Sequence, residues 1–153
     1  MADETHFRKL EHMYAAAPIN QTVHSRIRVE HGRAEVRIRV VPELFHSAHS
    51  LHGSIYFKAL DDAAFFAANS VVTDAFVLTA RFEVNLLAVV TGAEIRGVGT
   101  FIERDGRKLE ASAELFDDDE VLVARGHGLF IASKMPLASV PSYTLPTSRA
   151  LDD

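Results

Sequence analysis

The stretch LHGSIYFKALDDAAFFAANS, residues 51–70, decides the fold. On a 100° wheel Tyr56, Ala59, Leu60, Ala63, Ala67 and Val71 fill one side, and Ile55, Phe57, Ala64, Phe65 and Phe66 take much of the rest. A helix that is apolar nearly all round is a buried helix, so a sheet has to curl around it. Lys58, Asp62 and Asn69 form a narrow polar line, and Asp61 stands beside that line among apolar neighbours. Lys58 and Asp62 are at i,i+4 and can pair, whereas Asp61, at i+3, has the weaker claim on the ammonium. A carboxylate two turns into a buried helix needs either a partner or a task, and spacing alone leaves both readings open for Asp61.

Alternation of period two lies on both sides of this helix. In RAEVRIRV, residues 33–40, Ala34, Val36, Ile38 and Val40 share one face and Arg33, Glu35, Arg37 and Arg39 the other, the pattern of a strand with one wet face. HSRIRVE before it joins through His31-Gly32, a two-residue link of the kind that closes hairpins. After the helix, Ala80, Phe82, Val84 and Leu86 alternate with Thr79, Arg81, Glu83 and Asn85, which predicts a third strand over 77–86. Beyond it AEIRGVGTFIE and KLEASAELF flank RDGR, and DDDE precedes VLVARGHGLFIA. Asp-Gly is a strong hairpin signal, so strands four to six form a meander.

Phe7, Leu10, Tyr14 and Ala17 at helical spacing predict a short packed helix over about 6–17, ended by Pro18. Residues 133–153 hold three of the five prolines and show no period; they are expected to form an extended or mobile tail after a single domain spanning 1–132. The order helix, two strands, long helix, four strands makes this an α+β chain with a curved antiparallel sheet of about six strands.

The 153 residues, 48% hydrophobic and 24% charged, suffice for one core and are too few for two. The formal charge is -5, and the arginines are interspersed with acids, so no basic stripe follows a nucleic-acid backbone. Cysteine is absent, which removes disulfides and thiolate catalysis. The beginning, MADETHFRKLEHMY, has no apolar leader core, and no apolar run approaches the ~18 residues of a membrane span. The expectation is a cytoplasmic protein that engages neither nucleic acid nor membrane.

His52 and Gly53 open the buried helix. A glycine lets a ligand approach the backbone closely, and free N–H groups at a helix start polarise a carbonyl or hold an oxyanion. The same residues also read as an ordinary loop-to-helix junction with Ser54 as N-cap. His46, His49 and His52 cluster in FHSAHSLHGS, yet no carboxylate stands at a ligand spacing in that loop, and no metal site is assigned. Phe57, Phe65 and Phe66 either line an apolar pocket or fill the core. Thr79 and Arg81 on the third strand, with Arg104, Arg107 and Lys108 near the hairpin tip, are candidates for contacts with the polar part of a ligand; charged tips are otherwise simply solvated.

HGSIYFKALDDAAFFAANS resembles the signature of the PaaI-like hotdog-fold acyl-CoA thioesterases: H-G-G, a short apolar run, then L-A-D-x-A and often A-x-N-S. In register, His52 and Gly53 match the His-Gly, Asp61 falls on the catalytic Asp, and Asn69-Ser70 match the helix end. LTARFEVNLLAVVTGAE and LVARGHGLF are similar to later strands of that family, so the likeness covers roughly residues 20–132. It implies a hotdog fold and hydrolysis of a small aromatic or short- to medium-chain acyl-CoA, with coenzyme A as part of the substrate and no other cofactor. It also implies a homodimer or homotetramer with the thioester at the subunit interface. There the N–H of Gly53 polarises the carbonyl, near Ser54, Phe65 and His52, and the partner's Asp61 acts as general base or nucleophile.

Three positions depart from the family pattern. His46 stands where an Asn is common, Ser54 replaces the second Gly, and Ala88-Val89 replaces an Arg-Pro. His46 is expected to take the part of the Asn, since imidazole supplies one N–H and one lone pair. A non-catalytic acyl-CoA-binding module and a hydratase or dehydratase using His52 are the other functions open to this pattern.

Overall fold

The computed structural model describes residues 2–147. Helix α1 (Ala2–Ala16) and the short α2 (Pro18–Thr22) precede strands β1 (Ser25–Glu30) and β2 (Arg33–Arg39). A 3₁₀ turn at Pro42–Leu44 and a loop lead to α3 (Gly53–Asn69). Strands β3 (Ala75–Leu86), β4 (Glu94–Asp105), β5 (Lys108–Phe116) and β6 (Leu122–Pro136) follow. The six strands form one antiparallel sheet in the order β1-β2-β4-β5-β6-β3. The chain therefore leaves α3 for the far edge of the sheet, and the sheet wraps the helix in the hotdog arrangement that the resemblance implies.

Local chemistry places the hairpins. Glu30 pairs with Arg33, and Gly32 takes φ 69°, a left-handed value that glycine adopts at no steric cost. The second hairpin closes one residue later than its Asp-Gly suggests: Asp105 pairs with Lys108, so Gly106 and Arg107 are the turn.

The helix settles on the sheet because β4 lacks side chains where the two meet. A Cβ on Gly99 would collide with the Ala63 carbonyl oxygen, and one on Gly97 would lie 2.9 Å from that of Ala59. Ala59, Ala63 and Ala64 are fully buried opposite them. A second apolar cluster sits behind α3, where Phe7, Leu10, Met13 and Tyr14 of α1 pack on Val29, Phe66 and Leu137. The first helix is longer than its periodicity predicts, beginning at Ala2.

Two further features differ from the sequence pattern. In β3, Thr79 pairs with Phe130 but Arg81 with Leu129, so Ala80 is an extra residue. Such a bulge shifts the alternation: Thr79 turns to α3, as Phe82 and Val84 do further on, instead of standing opposite Phe82. Residues 133–147 are also more ordered than a free tail. Strand β6 continues to Pro136, Leu137 is buried, and Val140 and Tyr143 pack against the α1 cluster. Prolines broke the sequence period here, but apolar residues between them still dock. Residues 148–153, the end of the expected tail, lie outside the described residues. Among those described, no helix is long and apolar enough to cross a membrane.

Candidate active site

The neighbouring aspartates of α3 have different surroundings. Lys58 Nζ donates to Asp62 Oδ2 at 2.6 Å and to Asn20 Oδ1 at 2.7 Å. The Tyr14 hydroxyl donates to the same carboxylate oxygen at 2.7 Å and also touches the Ser25 hydroxyl. Burial and the Asp62 charge push the Tyr14 phenol far above its ordinary range, so it stays a donor. The expected Lys58–Asp62 pair is thus one edge of a network joining α3 to α1 and α2. Tyr14 and Asn20 were invisible in the sequence as partners because only packing brings segments 38 to 48 residues apart together.

Asp61 lies outside that network. Its one hydrogen bond among the described residues comes from Thr79 Oγ1, at 2.9 Å to Oδ1. Burial pushes its carboxyl up to about 6, against the smaller opposing effect of the Thr79 bond; the Asp62 charge raises it and Lys58 lowers it only weakly. A carboxylate titrating near neutrality is suited to taking a proton.

At the start of α3, the cap is His52 rather than Ser54. His52 Nδ1 accepts the Ser54 N–H at 3.0 Å and contacts the Ser54 hydroxyl at 2.7 Å, while the Ile55 N–H bonds the His52 carbonyl at 3.0 Å. The Gly53 N–H between them finds no acceptor among the described residues. Gly53 does not take a positive φ, and a Cβ there would meet Leu86 at an ordinary 3.5 Å. Neither backbone nor packing within the chain requires glycine at this position. It borders a shallow depression with His46, Ser50, Tyr56 and Ala88.

His46 is less available than its pairing rules suggest. Its Nδ1 accepts the Ala48 N–H at 3.0 Å, and its Nε2 lies 2.9 Å from the Ser50 hydroxyl. Both ring nitrogens serve the loop that carries them. Among the described residues, no three His, Asp or Glu side chains converge as metal ligands.

Beside Asp61 opens a groove of about 510 Å³. Phe65 and Phe66 of α3, Phe76 and Leu78 of β3, and Met13 and Tyr14 of α1 line it. The Phe65 ring centroid lies 5.1 Å from that of Phe66 and 5.5 Å from that of Phe76. Phe57 instead faces outward and meets Phe82 edge-on at 5.5 Å. Of the sequence's candidates, the fold thus brings Asp61, Phe65 and Thr79 into one groove. His46, His52, Gly53 and Ser54 are at the other end of α3, where eight residues at 1.5 Å each separate Gly53 from Asp61 by ~12 Å. Arg81 is exposed beyond the bulge. Arg104 and Arg107 cap backbone carbonyls of Gly106 and Ala132 at 2.8 and 2.9 Å, and with Lys108 they stay at the hairpin, outside the groove. The groove walls contributed by α1 and residues 140–142 gave no sequence signal, since they are assembled only by docking.

With this geometry in place, the comparisons with known proteins define the class. The family model of the thioesterase superfamily matches residues 48–124, half of the chain, and the chain belongs to that superfamily. The matched segment holds α3 with Asp61, strands β3, β4 and β5, and the start of β6. Among solved structures, the Escherichia coli PaaI protein of the phenylacetic acid degradation operon is similar at 15% identity and a TM-score of 0.80, covering 89% of this chain and 99% of that one. A thioesterase family protein from Silicibacter pomeroyi is 25% identical, with a TM-score of 0.76 over 81% and 95% of the two chains. A Bacillus halodurans protein solved with CoA is 22% identical, with a TM-score of 0.61 over 63% and 65%. No curated protein matches this chain significantly in sequence.

Proposed function

We propose that this protein is an acyl-CoA thioesterase in which Asp61 is the catalytic carboxylate. The observation that carries the reading is the contrast within α3. Asp62 is ion-paired with Lys58 and hydrogen-bonded by Tyr14, whereas Asp61 is raised to about 6 and faces an apolar groove. The Gly53 N–H polarises the thioester carbonyl, and the free donor left by the His52 cap supports this role. Either Asp61 takes a proton from water as the water oxygen attacks the carbonyl carbon, or its own oxygen attacks and water then cleaves the anhydride. In both routes the C–S bond breaks and CoA leaves as the thiol.

The ~12 Å between Gly53 and Asp61 within one helix is too far for both to act on one carbonyl, so the reading requires two chains. Strand β3 is an open sheet edge, and Leu78 and Leu86 on it and Leu87 just after it are about half exposed, a surface suited to a second copy. Across it, Gly53 of one protomer would meet the partner's Asp61. CoA enters as part of the substrate, and no other cofactor is invoked. Arg81, free of acidic partners among the described residues, with Arg104, Arg107 and Lys108, would meet its phosphates. His46 holds the loop beside Gly53 as a positioning residue, with both ring nitrogens already bonded.

The test is release of free CoA, followed with a thiol reagent, from a panel of acyl-CoAs differing in acyl group. Turnover of a small aromatic or short- to medium-chain thioester is expected. Absence of CoA release across the whole panel would overturn the assignment.

A further inference from the structure

The groove beside Asp61 is built from two kinds of material. Phe65, Phe66, Phe76, Leu78 and Asp61 itself belong to α3 and β3, inside the segment shared with the superfamily. The opposite wall comes from Met13 and Tyr14 of α1, from Pro18–Asn20, and from Val140–Ser142, all outside that segment. These pieces are held in place by specific bonds. Tyr14 and Asn20 are tied to α3 through Asp62 and Lys58. The buried His6 bridges the Asn69 carbonyl at 2.9 Å and the Tyr143 hydroxyl at 2.6 Å, which fixes the chain just after Val140–Ser142.

The charges of the groove are equally definite. Its titratable lining groups are Asp61, Asp62, Lys58 and Tyr14. Lys58 is the one cation among the described lining residues, and it is committed to Asp62 and Asn20. An acyl group ending in a carboxylate would enter beside two aspartates, and the described lining residues of this chain offer it no free cation, in an apolar surround where an unpaired charge is costly. Aliphatic and aromatic groups would instead meet Phe65, Phe76, Met13 and Ile19.

We propose that the wall formed by α1, residues 18–20 and residues 140–142 is the specificity element of this protein, and that it selects uncharged apolar acyl groups against ω-carboxylated ones. The inference rests on the thioesterase reading and deepens it, because the wall, rather than the shared α3–β3 half, decides which acyl group reaches Asp61.

The test compares octanoyl-CoA with succinyl-CoA, by CoA release and separately by calorimetric binding, for the wild type and two variants. Ile19 lines the groove yet is 55% exposed, so Ile19→Lys introduces a free cation at little cost to folding. Val140→Phe narrows the same wall. The wild type is expected to favour octanoyl-CoA at least ~100-fold in kcat/KM. Ile19→Lys should lower that ratio at least ~10-fold, and Val140→Phe should shift preference from octanoyl-CoA to butyryl-CoA. Equal use of succinyl- and octanoyl-CoA by the wild type would overturn the proposal, as would ratios unchanged in both folded variants. If nothing is hydrolysed but octanoyl-CoA binds in preference to succinyl-CoA and Ile19→Lys reverses that preference, the specificity wall stands and the hydrolytic reading alone falls.

Discussion

Replacing Asp61 with asparagine should separate catalysis from stability, moving them in opposite directions. The carboxyl titrates near 6 in the fold against 3.8 in an ordinary environment, and each unit corresponds to ~1.4 kcal/mol. The folded state therefore disfavours the ionised form, and full desolvation over this interval would cost ~3 kcal/mol at pH 7. Asp61 keeps some contact with water, and screening reduces the figure to ~1–2 kcal/mol. Because the folded value is raised, the cost is present above about pH 6 and fades as pH falls toward 4.

The asparagine side chain keeps an oxygen for the Thr79 hydroxyl and carries no charge, so Asp61→Asn should be more stable by ~1–2 kcal/mol at pH 7 and no more stable than the wild type near pH 4. Loss of a general base lowers kcat by ~10²- to 10⁴-fold, and wild-type kcat should itself decline as pH drops through about 6. Asp62→Asn is the control. It removes the negative charge that Lys58 pairs with and leaves a neutral, weaker acceptor for Lys58 and Tyr14, so it should cost ~1–3 kcal/mol, well above the ~0.2–0.5 kcal/mol of an isolated i,i+4 pair, and have the smaller effect on kcat. Urea denaturation at pH 7 and 4, with kcat on one acyl-CoA, decides the matter. Wild-type kcat in Asp61→Asn, or a variant less stable than the wild type at pH 7, would refute the reasoning.

Gly99→Ala should destabilise the fold by ~3 kcal/mol or prevent folding, because the new methyl meets the Ala63 backbone; circular dichroism melts would show it, and a wild-type melting point would contradict the account of helix seating. His6 has its pKa lowered chiefly by burial. Its neutral form is favoured in the fold, so its contribution to stability is fully present above about 6.5 and is lost as pH falls toward the folded value. The stability difference between wild type and His6→Asn, measured by urea denaturation, should shrink between pH 7.5 and 5.5; a constant difference would count against the buried neutral imidazole. Light scattering at micromolar concentration should report a dimer or tetramer, and a monomer would remove the two-chain site.

The alternation of β2 and the all-round apolarity of residues 55–67 were legible from residue order alone, because period two and period 3.6 are local consequences of backbone geometry. So was the candidacy of Asp61, since a carboxylate among apolar neighbours is conspicuous on a wheel. Three things were decided only by the assembled fold. The bulge at Ala80 depends on pairing with β6, and that pairing is what turned Thr79 toward Asp61. The network around the Lys58–Asp62 pair needed Tyr14 and Asn20, brought up on separate helices. The docking of Val140 and Tyr143 against α1 converted a proline-broken tail into a groove wall. Each of these is a contact between segments far apart in the chain, where the energy comes from burial and hydrogen bonding across the fold and leaves no periodic trace in either segment.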